Sequence, residues 1–216
     1  SLGYLVPGNV VNNPNSGFGL FDGNYAALAQ LSIRPSRAFN VGLTYVRSYS
    51  NNEGGVNLTG GTGSAFAAAP FGRVATTANH YGVQASFRFG PGFTLGGWAG
   101  LTDAEAEAGA FRGANAQSFN WAANLAFADF GKKGNLLGFI VGQPPKVTSN
   151  DLDGSFRGQV APNREDDGTT LHVEGLYRIQ VSDSISVTPG VIWLMNPEHN
   201  DDNKNIFVGT IRTTFS

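Results

Sequence analysis

The chain has 216 residues, of which 14% are Asp, Glu, Lys or Arg, 41% are hydrophobic and 30 are Gly. Ordinary soluble domains carry about 25% charged residues, so this surface is not built to meet water on every side. Fourteen basic against sixteen acidic residues argue against a nucleic-acid partner, and the lack of Cys excludes disulfides, thiol nucleophiles and Cys-ligated metals.

No run of about 18 apolar residues occurs, so a transmembrane helix is not expected. No basic and then apolar leader opens the chain. Leu2, Tyr4 and Val6 suggest the end of a strand, as in a mature or truncated start. From there, period-2 alternation dominates in segments of about ten residues. Residues 25–34 set Tyr25, Ala27, Ala29, Leu31 and Ile33 against Gln30, Ser32 and Arg34. Residues 39–49 set Phe39, Val41, Leu43 and Tyr45 against Asn40, Gly42, Thr44 and Ser48. Tyr81, Val83, Ala85, Phe87 and Phe89 follow, then Phe93, Leu95, Gly97, Ala99 and Leu101. The stretch 104–110 holds helix formers between Gly-rich neighbours and is read as a loop with room for one helical turn. Strands resume with Phe119, Trp121, Ala123, Leu125 and Phe127, and with Leu137, Phe139 and Val141, where Leu136 and Ile140 make both faces apolar. Leu171, Val173, Tyr177 and Ile179 come next, followed by Ile185, Val187, Val191 and Trp193. Phe207, Ile211 and Phe215 close the series, and Pro189, lacking a donor, implies a bulge or a local gap in pairing.

Across the cores of these nine segments the apolar face carries no charge. A β-sandwich core or the lipid face of a barrel can explain that. The connections favour the barrel. Short turns at 35–37, 90–92, 130–134 and 182–184 alternate with long loops at 51–79, 103–116, 143–168 and 195–204. Outer-membrane barrels sort their turns this way, and a Greek-key sandwich has no reason to. Aromatics fall in two belts, with Phe39, Phe89, Phe93, Phe127 and Phe215 by the short turns or the chain end. Tyr25, Tyr45, Tyr81, Trp121 and Trp193 lie towards the long loops. The fold class is therefore all-β, a transmembrane antiparallel up-and-down barrel, with nine full strands and a remnant at 2–6.

Charges on the polar face are mostly arginines. Arg34, Arg88, Arg178 and Arg212 lie near short turns or the chain end, with Glu174 higher up. As pore-lining residues they would form a positive arc that favours anions. Held by turn carbonyls and acidic partners, they would instead leave flux untouched. Glu165, Asp166 and Asp167, and Glu198, His199, Asp201 and Asp202, cluster in the long loops. They read as solvated loops that face lipopolysaccharide and hold divalent ions loosely, with cation or iron gathering as the sharper alternative. Asp151, Asp153 and Gly154 form a calcium-loop fragment without its third carboxylate and closing Glu. Loop 51–79 contains an apolar run at 65–71, which suggests that it folds inward or against a neighbouring subunit. His80, His172 and His199 are dispersed, and no catalytic motif, resident metal or cofactor is expected.

Residues 188–200, Thr-Pro-Gly-Val-Ile-Trp-Leu-Met-Asn-Pro-Glu-His-Asn, resemble the penultimate strand of OprB-type carbohydrate porins, above all the cyanobacterial branch labelled iron-uptake porins. Gly19-Leu20-Phe21-Asp22-Gly23-Asn24-Tyr25 and Ile211-Arg212-Thr213-Thr214-Phe215 are similar to that branch as well. The resemblance covers essentially the whole chain. It implies an outer-membrane porin of about sixteen strands, of which residues 1–216 are the C-terminal part. It also implies a homo-oligomer (a trimer) set among outer-membrane lipid and lipopolysaccharide, and an upstream surface-layer-homology domain that binds the cell wall. The family's sugar-contacting residues lie largely upstream, so none is assigned here. Such barrels usually end in an aromatic, and the parity of Phe215 places an aromatic, Phe, at position 217. The expected function is passive diffusion of small hydrophilic solutes, sugars or inorganic ions. The alternatives are an iron or inorganic-ion uptake channel, or a structural barrel that tethers the outer membrane to the wall.

Overall fold

The structure is a computed structural model that describes residues 1–7, 11–13, 15–51, 55–152, 155–156, 159–160 and 165–215. Its strands are β1 (Leu2–Leu5), β2 (Tyr25–Ile33), β3 (Phe39–Ser50), β4 (Thr76–Phe89), β5 (Phe93–Ala106) and β6 (Asn115–Ala128). After them come β7 (Leu136–Asn150), β8 (Ser155–Phe156), β9 (Gln159–Val160), β10 (Leu171–Ser182), β11 (Ile185–Met195) and β12 (Ile206–Phe215). Ten of them form one antiparallel sheet in the order β1-β2-β3-β4-β5-β6-β7-β10-β11-β12, and β8 pairs with β9 as a small hairpin in a long loop. Every neighbour in the sheet is the next sheet strand in sequence, so it is a plain up-and-down meander. The sheet is not closed, because β1 pairs with β2 and β12 with β11, not with each other.

Register keeps the two faces apart over the whole width. Leu43 pairs with Val83, Val83 with Ala99, and Ala123 with Val141, so the apolar rows line up strand after strand. These side chains are left open: Leu43 is 48% exposed, Val83 46% and Ile211 79%. A soluble protein would cover such a face, whereas the hydrocarbon of a bilayer is the surrounding that suits it. Strands of 14 residues rise about 3.3 Å per residue and, tilted, have the reach that a hydrocarbon core requires. Among the described strand residues, charge enters the apolar face only at the upper aromatic belt and above it, with Lys146 opposite Phe119, Arg47 between Tyr45 and Tyr49, and Asp103 and Glu105 near the long loop of β5.

The lower belt is a continuous chain of contacts, and the upper one is a series of separate ring pairs. Along the short turns, Phe39, Phe87, Phe89, Phe93, Phe127, Phe130 and Tyr177 form a chain of rings with centroids 4.4 to 6.3 Å apart. Towards the long loops, Tyr25 packs on Tyr4 and Tyr49, Tyr45 on Tyr81, and Trp193 on Phe207. Tyr177 fastens the lower belt to its turn, donating to the Phe130 carbonyl and accepting from Asn135 Nδ2.

Three strand details differ from or refine the sequence reading. Residues 104–106 are not loop or helix but the end of β5, because Thr76–Ala78 of β4 pairs with them. Strand β7 runs through Pro144 and Pro145 to Asn150 although two N–H donors are missing. Two register shifts in its pairing with β6, at Gln117/Ser118 and Phe119/Trp121, absorb the gap. Pro189 causes the expected gap, since the β10–β11 ladder skips from Leu176↔Gly190 to Ile179↔Val187 without changing register.

The two faces make a paired prediction. Val83→Arg is expected to destabilise the protein by about 2–4 kcal/mol, the cost of an arginine near the bilayer centre. Gln84→Arg, one residue on and facing the other way, is expected to cost less than about 1 kcal/mol. Urea unfolding from lipid vesicles measures both.

Candidate pore wall and its folded-in loop

The four polar-face arginines sit where strand parity puts them, all exposed and all at the short-turn end. Arg178 and Arg212 flank Thr188 from two sides: Thr188 pairs with Arg212, and Arg178 lies opposite it in the gap left by Pro189. Their strands are two spacings apart, roughly 10 Å. Arg34 donates from Nε to Asn40 Oδ1 at 2.6 Å, and Arg178 donates from Nη2 to the Gly134 carbonyl at 3.3 Å. Among the described residues none of the four forms an ion pair, so carboxylates do not neutralise them locally. Of the four, Arg178 is the one that reaches a turn carbonyl among the described residues. Glu174 lies higher, paired across the sheet with Ile140 and Ile192, and its Oε2 is 3.4 Å from His172 Nε2.

The polar face is not uniformly polar. Leu136, Ile140, Leu176, Ile192, Leu194, Ile206 and Val208 share it with Glu174 on β7 and β10–β12. Near the long loops of β4–β6 it narrows to alanines, Ala78, Ala104, Ala106 and Ala116. This alanine floor explains the apolar run in loop 51–75. Phe71 packs on it at 3% exposure, joined by Ala114 and Leu152 and bordered by Leu58, Val74 and Phe111. The loop has folded inward across the sheet.

Its one helical turn, α1 (Ala65–Ala68), is pinned at its start. Ser64 caps it by accepting from the Ala67 N–H at 2.9 Å, and the same hydroxyl donates to Asp166 Oδ2 at 2.9 Å. That carboxylate oxygen also accepts from the Val147 N–H of β7 at 2.7 Å. Glu198 Oε2 accepts from the Ala65 N–H at 2.8 Å. Beside α1, Gly63 has φ +79°, and a Cβ there would overlap the Pro145 carbonyl oxygen, so the loop backbone lies flat on β7.

His199 closes the cluster at 1% exposure. The Thr170 N–H donates to Nδ1 at 2.8 Å, and Nε2 lies 2.9 Å from the Pro145 carbonyl oxygen. An acceptor role for Nδ1 fixes the neutral tautomer with the proton on Nε2, which donates to Pro145. His199 takes a φ of 52° to reach this place, and its own N–H donates to Thr170 Oγ1 at 2.9 Å. Burial holds its imidazole below the usual histidine range, against the pull of the Pro145 carbonyl and of the Asp166 charge. Burial likewise raises the Asp166 carboxyl, although Val147 N–H and the Ser64 hydroxyl act the other way. Asp166 and His199 are thus structural parts of one junction, not the solvated ion-gathering side chains that a run of acidic residues suggests. Asp151 is also engaged, accepting from Asn115 N–H at 2.9 Å. The rest of that calcium-like fragment, Asp153 and Gly154, lies outside the described residues, as do Ser216 and position 217. No cluster of potential metal ligands occurs among the described residues.

Between the folded-in loop and the polar face is a recess of about 650 Å³. Leu58 and Thr62 form its upper side, and His80, Trp98, Asn120 and Glu174 its floor. Trp98 shows an indole that is 48% exposed. It has room because Gly96, Gly100 and Ala122 surround it on the wall.

The sheet thus has one polar face, partly covered by a folded-in loop, and one exposed apolar face. The model of one family, described as carbohydrate-selective porin, OprB family, matches residues 1–216. The chain belongs to the OprB porin family. An uncharacterized protein of Synechocystis sp. is 38% identical over 231 residues, covering all of this chain and 40% of the relative. An uncharacterized protein of Nostoc sp. is 34% identical over 223 residues, covering all of this chain and 36% of the relative. The chain therefore spans about two fifths of the length of the curated relatives that it matches. OprB porins are a channel family, not an enzyme family, and the resemblance carried by residues 188–200 and 211–215 is confirmed as family membership.

What local sequence could not give is the junction. Ser64 and Asp166 lie 102 residues apart, and Ala65 and Glu198 lie 133 apart. The alanines at polar-face parity, 78, 104, 106 and 116, were the available signal, because a water-facing wall has no need of them.

Gly63→Ala tests how closely the loop lies on the wall. The added methyl must push α1 away from Pro145, and the left-handed φ adds about 1 kcal/mol of strain. Chymotryptic cleavage after Phe71, which is buried in the native loop, is expected to rise about tenfold.

Proposed function

We propose that the chain is the C-terminal part of an outer-membrane porin of about sixteen strands, and that small hydrophilic solutes diffuse passively along its polar face. The observation that carries this reading is the pairing of an uncharged, exposed apolar face with a polar face on which a loop is folded. Water and solute have a path on one side only, and the loop reduces its width. Family membership supports the outer membrane as the location, with the long loops towards lipopolysaccharide. The open edges at β1 and β12 fit a barrel completed by further strands. A trimer remains part of the proposal as a property of the whole protein.

The solutes we propose are sugars and inorganic ions, and different residues favour each. Trp98 offers a flat indole inside the recess, suited to the C–H face of a sugar ring, with Asn120 and Glu174 near enough on the wall to take hydroxyls. Arg34, Arg88, Arg178 and Arg212, exposed and without carboxylate partners among the described residues, favour anions at the short-turn mouth. Liposome swelling with sugars of increasing size, set against ion conductance in planar bilayers, separates the two. Swelling that is slow for every sugar beside a large conductance would remove sugars from the proposal.

The arginines have their own test. The double variant Arg88→Glu and Arg178→Glu is expected to move the reversal potential in a salt gradient towards cation selectivity. An unmoved reversal potential would reduce these arginines to holders of the turns.

A further inference from the structure

A buried, neutral histidine at the junction of three loops is not needed to line a channel. Loop 51–75 arrives with Ser64 and Ala65, loop 151–170 with Asp166 and Thr170, and loop 196–205 with Glu198 and His199. All three meet on the Pro145–Val147 edge of β7. We infer that His199 is the positioning residue for the folded-in loop, and that a proton on its imidazole unpins the α1 end of this loop from the wall. The inference rests on the reading of that wall as the pore lining.

The chemistry follows from the two ring nitrogens. Nδ1 accepts the Thr170 N–H and Nε2–H donates to the Pro145 carbonyl, so both are occupied in the neutral ring. A second proton has only Nδ1 to go to, where it would point at another N–H donor. The protonated ring must therefore give up Thr170, and with it the bond from its own N–H to Thr170 Oγ1. The Nε2–H bond to Pro145 and the Gly168 N–H bond to the His199 carbonyl survive, so loop 196–205 stays attached but shifts as the ring turns away from the Thr170 N–H. Glu198 on the same loop loses its place over Ala65, and the Ser64–Asp166 contact is left as the only polar tie at the start of α1.

Charged groups face His199 from the elements packed around it. Asp166 faces it from loop 151–170 and Lys146 from β7, where Nζ donates to Thr169 Oγ1 at 2.9 Å. Its own loop supplies Glu198 and, further off, Asp201, which accepts from Asn196 Nδ2 at 2.9 Å. The folded-in loop brings only Ser64 and Ala65, which do not titrate. Asp166 and Glu198 favour a protonated ring and Lys146 opposes it, but burial outweighs all three and the ring stays neutral in the docked state.

The sign of the pH dependence is then fixed. Above the ordinary histidine value of 6.5, docked and released loops both carry neutral His199, and docking does not depend on pH. Below it the released state takes up the proton and the docked state resists, so docking weakens as pH falls from 6.5. Asp166 has the opposite sense at lower pH. Its raised carboxyl favours the docked state between that raised value and the ordinary 3.8, so it limits the release in strong acid and does not cause it.

The test is hydrogen exchange on the full-length porin, with protection factors corrected for intrinsic rates. The reporters are the amides of Leu58, Ala68 and Ala69, whose bonds hold the folded-in loop together. Between pH 7.5 and 5.5 their protection is expected to fall by up to about tenfold, the factor reached when the docked ring stays neutral throughout. His199→Gln keeps a donor and an acceptor but has no proton to gain, and should stay protected at both pH values. Asp166→Asn keeps an acceptor for Val147 and should respond to pH like the wild type. Protection that ignores pH in the wild type, or falls equally in a His199→Gln variant whose strand amides are protected, would overturn the inference. So would a response that Asp166→Asn abolishes, because the sensor would then be Asp166. Single-channel current on the same protein keeps the underlying reading separate. If protection falls while the current is steady, the pin stands and the loop does not narrow the pore.

Discussion

In a bilayer no water is present to satisfy a peptide group, so each N–H and C=O must find a partner inside the protein. The rest of this structure follows from that requirement. It forces nine long strands and the short β1 into an unbroken meander, in which each strand pairs with the next sheet strand along the chain. Pairing fixes the register, and register fixes which residues meet lipid, since neighbouring side chains alternate between faces. The diproline in β7 shows how strong the demand is. Rather than ending, the strand takes two register shifts and goes on to Asn150. The same demand makes the free edges of β1 and β12 untenable in lipid, which is a physical reason to expect further strands beside them.

How much of this could be read from the sequence depended on which force set each feature. Strand parity was legible at nearly every position, because lipid punishes a charge on the wrong face by several kcal/mol and leaves a clean alternation. The aromatic belts were legible for the same reason. Strand ends were not: residues 104–106 have the composition of a helix or loop, yet Thr76–Ala78 on the neighbouring strand extends them. Partner length, not propensity, decides where a strand stops. The inward fold of loop 51–75 was half visible in the apolar run at 65–71, but its docking floor needed four alanines from three strands to be seen together. The junction of Asp166 and His199 was invisible. Each looked like a loop residue among acids, and the contacts that give them their role are made with backbone groups far along the chain.

The arginines show a limit of another kind. Their place at the short-turn end of the strands followed from parity and turn position. Their role does not follow, because a hydrogen bond from Arg178 to the Gly134 carbonyl is compatible with both a fixed positive arc and a simple turn fastener. Charge acts over about 10 Å at 0.1 M salt. Arg178 and Arg212 stand on strands two spacings apart, within that range, so their fields overlap at the short-turn end.

Two kinds of contact hold the folded-in loop, and they respond differently to conditions. Phe71 on the alanine floor supplies most of the adhesion, through apolar area that no proton alters. The Ser64, Asp166, Glu198 and His199 junction adds direction, because hydrogen bonds tolerate little misplacement. A loop held by Phe71 alone would stay near the wall but slide on it, since alanines offer a smooth surface with no pocket to fix one orientation. Acid that opens the His199 contact therefore loosens α1 without expelling the loop. Full removal requires loss of the apolar contact as well, so the recess over Trp98 changes in shape with pH before it changes in existence.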